Sequence, residues 1–331
     1  MQPETDTCAF WVTAAGSGEL RREALRAPTQ DEAMVQTLYS GVSRGTESLV
    51  FGGHVPPSEH RRMRAPFQGG DFPAPVKYGY ASVGRVVQGP SNLEGRTVFC
   101  LYPHQQRYVV PVEALHVLPD TVPAGRAVLA ANVETALNGI WDAAVLPGDH
   151  VTVVGGGSVG CLVAWLAARI PGCEVELVDI NPRRERIAAG LGTSFAVPEA
   201  ARTDRDVVIH ASGSSEGLGL ALRLAAFEAR VIELSWYGDR TVALSLGEAF
   251  HSRRLTLKSS QVGAVAQAQR PRWSFTRRLG LALSLLADPV LDALINSEGL
   301  FEELPETMQA LARAPGDTIM HRVRYLKSTA E

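Results

Sequence analysis

The sequence predicts an α/β protein: a doubly wound parallel sheet wrapped by helices, preceded by a smaller β-rich part. Three observations predict it. Beyond about residue 123, all-apolar strand-like runs alternate with helical periods, the pattern of strands buried on both faces. Before that point the runs are short, often alternating, and broken by Gly and Pro clusters. The run VTVVGGGSVG over 151–160 places a glycine turn between a strand and a helix. A length of 331 residues fits two domains at about 150 residues each. With 45% hydrophobic and 20% charged residues, the composition excludes a disordered chain. Thirty-two basic against 35 acidic residues leave a net charge of -3, so no nucleic-acid partner is expected. Cys8, Cys100, Cys161 and Cys173 show no C-x-x-C spacing, which argues against a disulfide framework or a zinc ribbon. The N-terminus lacks a basic region followed by an apolar core, so no secretory signal is read. The most apolar stretch, Val151 to Ala168, holds Gly155, Gly156, Gly157 and Ser158, poor company for a membrane helix. A soluble cytoplasmic protein without membrane contact is the expectation.

In chain order, strands are expected over Ala33–Leu38, Ala81–Gln88, Thr97–Leu101 and Arg107–Val112. Gly52 to Pro75 has no period and many Gly, Pro, Arg and His residues, and is expected to be a long loop. Then come helix Ala124–Val145, strand Val151–Val154, helix Ser158–Arg169, strand Glu174–Val178 and helix Arg183–Leu191. Strand Val207–Ala211, helix Glu216–Phe227, and strands Arg230–Ser235 and Leu255–Ser259 follow. The tail offers a helix Arg277–Leu286, a second apolar-periodic stretch Leu304–Ala314 and a closing strand His321–Leu326.

The glycine run satisfies G-x-G-x-x-G at Gly155, Gly157 and Gly160, with Asp179 ending the next strand 19 residues beyond Gly160. That context predicts a Rossmann dinucleotide seat. Gly155 makes the tight turn, Gly157 admits a pyrophosphate, and Gly160 lets helix and strand approach. The helix start at Ser158 and Val159 presents backbone N–H groups to the anion. Asp179 would accept from ribose hydroxyls and repel a 2′-phosphate, so NAD(H) is expected over NADP(H). Arg183 and Arg184 follow closely; they suit either a 2′-phosphate or a position beside adenine.

A wider set of segments carries a resemblance. These are YSGVSRGTE over 39–47, KYGYASVG over 77–84, TALN over 135–138, LPGD over 146–149, VDIN over 178–181, and RRLTLKSSQ over 253–261. With the glycine motif they resemble the medium-chain dehydrogenase/reductase family. Within it they are most like chains labelled zinc-type alcohol dehydrogenases, with the bacteriochlorophyllide hydroxyethyl dehydrogenases a neighbouring branch. The resemblance implies a GroES-like β-rich catalytic domain over 1–124, completed by 266–331. It also implies a Rossmann domain over 125–265, a substrate cleft between the two, and a homodimer paired through the strand near 255–259. It places Thr135, Ser235 and Trp236 near the nicotinamide.

The departures from that family shape the chemical reading. Where zinc-dependent members offer Cys, His, and Cys or Glu, this chain has Arg44 or Ser43, Tyr80, and about Ala131. None of these is a usual zinc ligand, so no zinc is predicted. Glu134, Glu47, His54 and His104 are the groups from which another site could be assembled. Without a metal, Tyr80 becomes the proton donor to a developing alkoxide, with Arg44 supplying positive charge. By the resemblance, Thr46 matches the hydroxyl that relays the alcohol proton. Tyr102 and His104 follow a strand whose counterpart ends at the substrate pocket, and Glu47 lies in the same segment as Thr46. His104 is the candidate general acid or base. Each has a structural alternative: Tyr80 filling the space of a lost metal, Arg44 pairing with Glu47, His104 as a bonded loop residue, Thr46 as a turn cap. Arg61, Arg62, Arg64 and Lys77 would suit a substrate bearing carboxylate or phosphate, or simply solvate their loop. The expected activity is zinc-independent, NAD(H)-dependent interconversion of a secondary alcohol and a ketone on a small or medium molecule. Reduction of an activated C=C bond and non-catalytic dinucleotide sensing are the alternatives.

Overall fold

The computed structural model describes residues 5–314 and 316–325. The chain forms two compact units. One runs to Ala131 and regains Leu283–Ala287 and the segment from Ile295; the other holds Asn132–Ala282 and Asp288–Leu294.

In the first unit, strands β1 (Thr5–Ala14) and β2 (Ser17–Leu25) form an antiparallel hairpin. Strand β3 (Glu32–Val42) leads into helix α1 (Arg44–Phe51). The segment expected to be a long loop holds only a short 3-10 turn, Pro57–Glu59, before β4 (Gly69–Gly70) and β5 (Val76–Lys77). Strands β6 (Ser82–Gln88), β7 (Thr97–Cys100), β8 (Arg107–Pro111) and β9 (His116–Val117) follow. β8 alternates buried and half-buried residues, as a strand with one face on a core must. Ala33, Val35, Val86, Val98, Tyr108 and Val110 form that core.

The second unit opens along helix α2 (Ala130–Ala143) and strand β10 (His150–Val154). Helix α3 (Ser158–Ala167), strand β11 (Glu174–Val178), helix α4 (Arg184–Leu191) and the short strand β12 (Ser194–Ala196) come next. Strand β13 (Arg205–His210), helix α5 (Ser215–Leu224), strands β14 (Ala225–Glu233) and β15 (Thr256–Ser259), and helix α6 (Phe275–Leu285) complete it. The sheet order is β12-β11-β10-β13-β14-β15, every pair parallel. That is the doubly wound order, with its switch point between β10 and β13. Four of the five β10 residues are buried, because helices cover both faces of the sheet.

The chain then returns through β16 (Ile295–Leu300), helix α7 (Leu304–Arg313) and β17 (Met320–Arg324). β17 pairs antiparallel with β3, giving the order β16-β17-β3-β6-β7-β9, with β8 also on β3. The first unit's other sheet is β2-β1-β5-β4.

Three features differ from the sequence reading. The helix expected to reach Phe227 ends at Leu224, and Ala225 already pairs with Arg205 as strand. A register shift and Glu228 at φ 58° separate that start from the regular ladder at Arg230. The units divide after Ala131 rather than at 124, and residues 266–282 lie with the second unit. Arg278 of α6 explains this: it is 1% exposed, and its guanidinium donates to Glu134 Oε1 at 3.0 Å and Asn138 Oδ1 at 2.6 Å on α2. β1, β2, β4, β5, β9, β12, β16 and the turn over Leu246–Phe250 were not foreseen. The closing strand runs Met320–Arg324, and its expected end at Leu326 falls outside the described residues. Among the described residues, no helix is long and apolar enough to cross a membrane.

Candidate functional site

In the second unit the glycine turn is built by contact. Gly155 sits at φ 112°, and a Cβ there would stand 2.6 Å from the Ser212 nitrogen. A Cβ on Gly160 would stand 1.8 Å from the Gly155 carbonyl oxygen, so only glycine lets α3 leave the sheet here. Around Gly157, by contrast, a Cβ would meet nothing within 4 Å. Gly157 is the N-cap of α3 and has no side chain with which to cap it, which suits an anion at the helix's positive end. Ser158 is the first helical residue and Val159, half-buried, the second.

Asp179 closes the turn from the next strand. Its Oδ2 accepts from the Gly156 N–H at 2.6 Å and its Oδ1 from the Asn181 N–H at 2.8 Å. The carboxylate is half-buried beside the turn, with lone pairs left for further donors. Arg184 is buried at the start of α4, its Cγ 3.2 Å from where a Gly156 Cβ would be, whereas Arg183 is exposed. Gly155, Gly157, Gly160, Ser158, Val159, Asp179 and Arg184 therefore meet in one place. Thr135 stands on α2. Ser235 follows β14, where its hydroxyl accepts from Gly213 N–H at 3.0 Å, and half-buried Trp236 is its neighbour. The residues gathered at the glycine turn have the right chemistry to seat a dinucleotide.

In the first unit a polar group is gathered around Tyr80. α1 begins at Arg44, and Glu47 in its first turn accepts the N–H of the N-cap Ser43 at 2.7 Å. The other oxygen of Glu47 lies 2.8 Å from His104 Nε2. His104 Nδ1 is 2.7 Å from Ser40 Oγ, which is 3.0 Å from the Tyr325 hydroxyl. His104 and Glu47 are 1% and 3% exposed. The half-buried Tyr80 hydroxyl is hydrogen-bonded to the Ser43 and Thr46 side chains. Burial, with Glu47 nearby, pushes its phenol up to about 12. Gly79, at φ 129°, lets this strand pass His104: a Cβ there would lie 3.0 Å from the imidazole Cδ2.

The structure thus brings Tyr80, Thr46, Glu47 and His104 into one network and corrects several expectations. Both ring nitrogens of His104 are engaged and the ring is enclosed, so it does not present itself to a substrate as a free acid or base. It orients Glu47. Tyr102 is 9% exposed and stacked on Tyr108 at 3.8 Å, part of the core rather than of the Tyr80 group. Lys77, expected among the exposed cations, is 8% exposed and donates to Glu23 at 2.6 Å and Gln105 at 2.7 Å. Arg64 pairs with Asp71, while Arg61 and Arg62 are exposed in that loop. The anionic-substrate reading loses half of its cations. His210 bonds Glu233 at 2.8 Å. Ser40 and Tyr325 were missed, and Ser43 was named only as standing where a zinc ligand would be.

Zinc does not fit these residues. Arg44, Ser43, Tyr80 and Ala131 offer it no thiolate, imidazole or carboxylate. Glu134 is committed to Arg278. His104 has both nitrogens bonded, to Glu47 and to Ser40. Among the described residues, no three of His, Cys, Asp and Glu converge as a metal site.

Comparison with known proteins agrees with this architecture. No family model matches the chain. It is 24% identical over 341 residues to D-guloside 3-dehydrogenase of Escherichia coli K12, covering 91% of this chain and 95% of that one. A zinc-binding dehydrogenase structure from Sinorhizobium meliloti 1021, bound to NADP, superposes with a TM-score of 0.77 at 17% identity, covering 97% and 100% of the two chains. L-idonate 5-dehydrogenase of E. coli K-12 gives a TM-score of 0.78 at 15% identity, covering 97% and 99%. The expected resemblance holds: these relatives are dehydrogenases, another from Haemophilus influenzae, 29% identical over 138 residues (38% of this chain, 40% of that one), is named a zinc-type alcohol dehydrogenase-like protein, and the chain has the expected fold, a Rossmann sheet with a GroES-like β-rich part.

Proposed function

We propose that this chain is an NAD(H)-dependent oxidoreductase that interconverts a secondary alcohol and a ketone without zinc. The observation that carries the reading is the glycine turn latched by Asp179, open at Gly157 and set on an uncapped helix start. Gly155 to Gly160 would hold the pyrophosphate, Asp179 the adenosine ribose, and Arg184 the rim of that half. A bound nicotinamide supplies or takes the hydride. The Asp179 carboxylate disfavours a 2′-phosphate, which supports NAD(H) over NADP(H).

The chain's own task is the proton. Tyr80, its phenol held near 12, stays protonated through the neutral range and can give its proton to a forming alkoxide. Thr46 and Ser43 fix the direction of the hydroxyl, and Glu47, anchored by His104, holds the turn that carries them. In the oxidative direction the Tyr80 phenolate is the acceptor of the alcohol proton, which regenerates the phenol. A relative named for guloside oxidation supports a polyhydroxylated substrate. A homodimer through the outer edge of β15 belongs to the same proposal.

The test is titration calorimetry of the purified chain with NAD+, NADH, NADP+ and NADPH, followed by turnover on a panel of sugars and secondary alcohols with metal content measured alongside. Tight NADH binding with turnover at substoichiometric zinc is expected. No binding of any of the four cofactors removes the reading, and activity that tracks zinc content removes its metal-free part.

A further inference from the structure

A second buried imidazole–carboxylate couple stands at the C-terminal edge of the second unit's sheet. His210 ends β13, Glu233 ends β14, and the two are register partners. His210 is fully buried, its Nδ1 2.8 Å from Glu233 Oε2 and its Nε2 2.6 Å from Ser212 Oγ. Tyr237 donates its hydroxyl to the same carboxylate oxygen at 2.9 Å, and the Ser235 N–H donates to Oε1 at 2.6 Å.

The donor inventory orders the couple. A carboxylate only accepts, so His210 carries a proton on Nδ1. Ser212 Oγ, bonded to Nε2, accepts the Ser214 N–H at 3.2 Å. Three donors converge on a carboxylate whose side chain is 12% exposed. They satisfy the carboxylate and leave its charge in place. Arg240 lies over the Tyr237 ring at 5.9 Å but is exposed, where solvent screens it. A serine–histidine–glutamate order also suits acyl transfer, but the adjacent Gly213 and Ser214 N–H groups are already bonded to serine hydroxyls, so they are not free as oxyanion donors. The network holds a charge.

Its place gives that charge a use. The sheet reverses between β10 and β13, and the Ser212 backbone abuts Gly155. A dinucleotide whose adenosine ribose sits at Asp179, after β11, extends its other half over β13 and β14. We propose that Glu233, fixed by His210, Tyr237 and Ser235, discriminates the oxidation state of the bound dinucleotide: its negative charge favours the cationic oxidised nicotinamide over the neutral reduced one. The inference rests on the dinucleotide-binding reading above.

The experiment measures dissociation constants of the full chain for NAD+, NADH and ADP-ribose, the last lacking a nicotinamide. In Glu233→Gln, NAD+ affinity is expected to fall about fivefold relative to NADH, with ADP-ribose unchanged. Tyr237→Phe removes one donor and should move the ratio about twofold the other way. Equal weakening of NAD+ and NADH in Glu233→Gln, or no change in either, overturns the inference and makes the couple a structural one. Should Gln at 233 fail to fold, Glu233→Asp and Tyr237→Phe decide. Asp keeps the wild-type ratio and Phe raises it, and a Phe ratio at or below wild type overturns the proposal. Wild-type chain that binds none of the three ligands removes the dinucleotide reading itself, a different result from any of these.

Discussion

At the scale of single residues, Tyr80 bears the chemical proposal. Tyr80→Phe keeps the ring and removes the hydroxyl held by Ser43 and Thr46. Turnover should fall at least about tenfold while NADH affinity stays within about twofold, because general acid catalysis contributes on the order of a hundredfold or more. Steady-state kinetics beside calorimetry makes the comparison, and a Phe variant at the wild-type rate would leave Tyr80 as packing. With the phenol at about 12, its ionisation should add no loss of activity on raising the pH to about 10. Tyr80, Thr46, Glu47 and His104 could all be named from the sequence. That they form one network could not: it closes through Ser40 and Tyr325, which are 285 positions apart. Polar residues that meet only in the folded chain leave no local pattern.

At the scale of elements, the glycine turn and α6 make the sharpest claims. Gly160→Ala would drive a methyl group into the Gly155 carbonyl, so α3 must shift away from β10. About 1–3 kcal/mol of stability should be lost, with at least tenfold weaker dinucleotide binding. Thermal unfolding and calorimetry check the two parts, and an Ala variant with wild-type affinity would contradict the seat's geometry. Arg278 is the pin between α6 and α2. Arg278→Ala leaves Glu134 buried without its cation and should cost about 3–5 kcal/mol. Arg278→Met with Glu134→Leu should recover most of that in a denaturant melt. A single variant as stable as wild type would show that α6 is held otherwise. Strands such as β11 were legible to the residue, because a short apolar run bounded by turn residues has few other places to go. The start of β14 was not. Ala225-Ala226-Phe227 continues an apolar stretch without a period, and only the pairing with Arg205 makes it strand.

At the scale of the whole chain, buried histidines couple stability to pH. Burial lowers the pKa of His116 and His321, the latter with His104 opposing a second charge. Unfolding returns both to about 6.5, so the unfolded chain binds more protons and stability rises with pH. The thermal midpoint should therefore drop as the pH falls from about 7.5 to about 5.5, and a flat or rising profile would contradict the burial of these rings. The two-unit organisation was legible from the change in texture near residue 123. The division after Ala131 was not, since it depends on which side the α2 and α6 side chains bond.

One contact ties preference to architecture. The carboxylate expected to choose between the two nicotinamide coenzymes is also the latch that the Gly156 amide closes on. An engineer who swaps Asp179 for a small neutral residue to welcome a phosphorylated ribose unfastens the loop in the same stroke. Coenzyme choice in this scaffold is thus not a detachable label, and retuning it means supplying a new acceptor for that amide first.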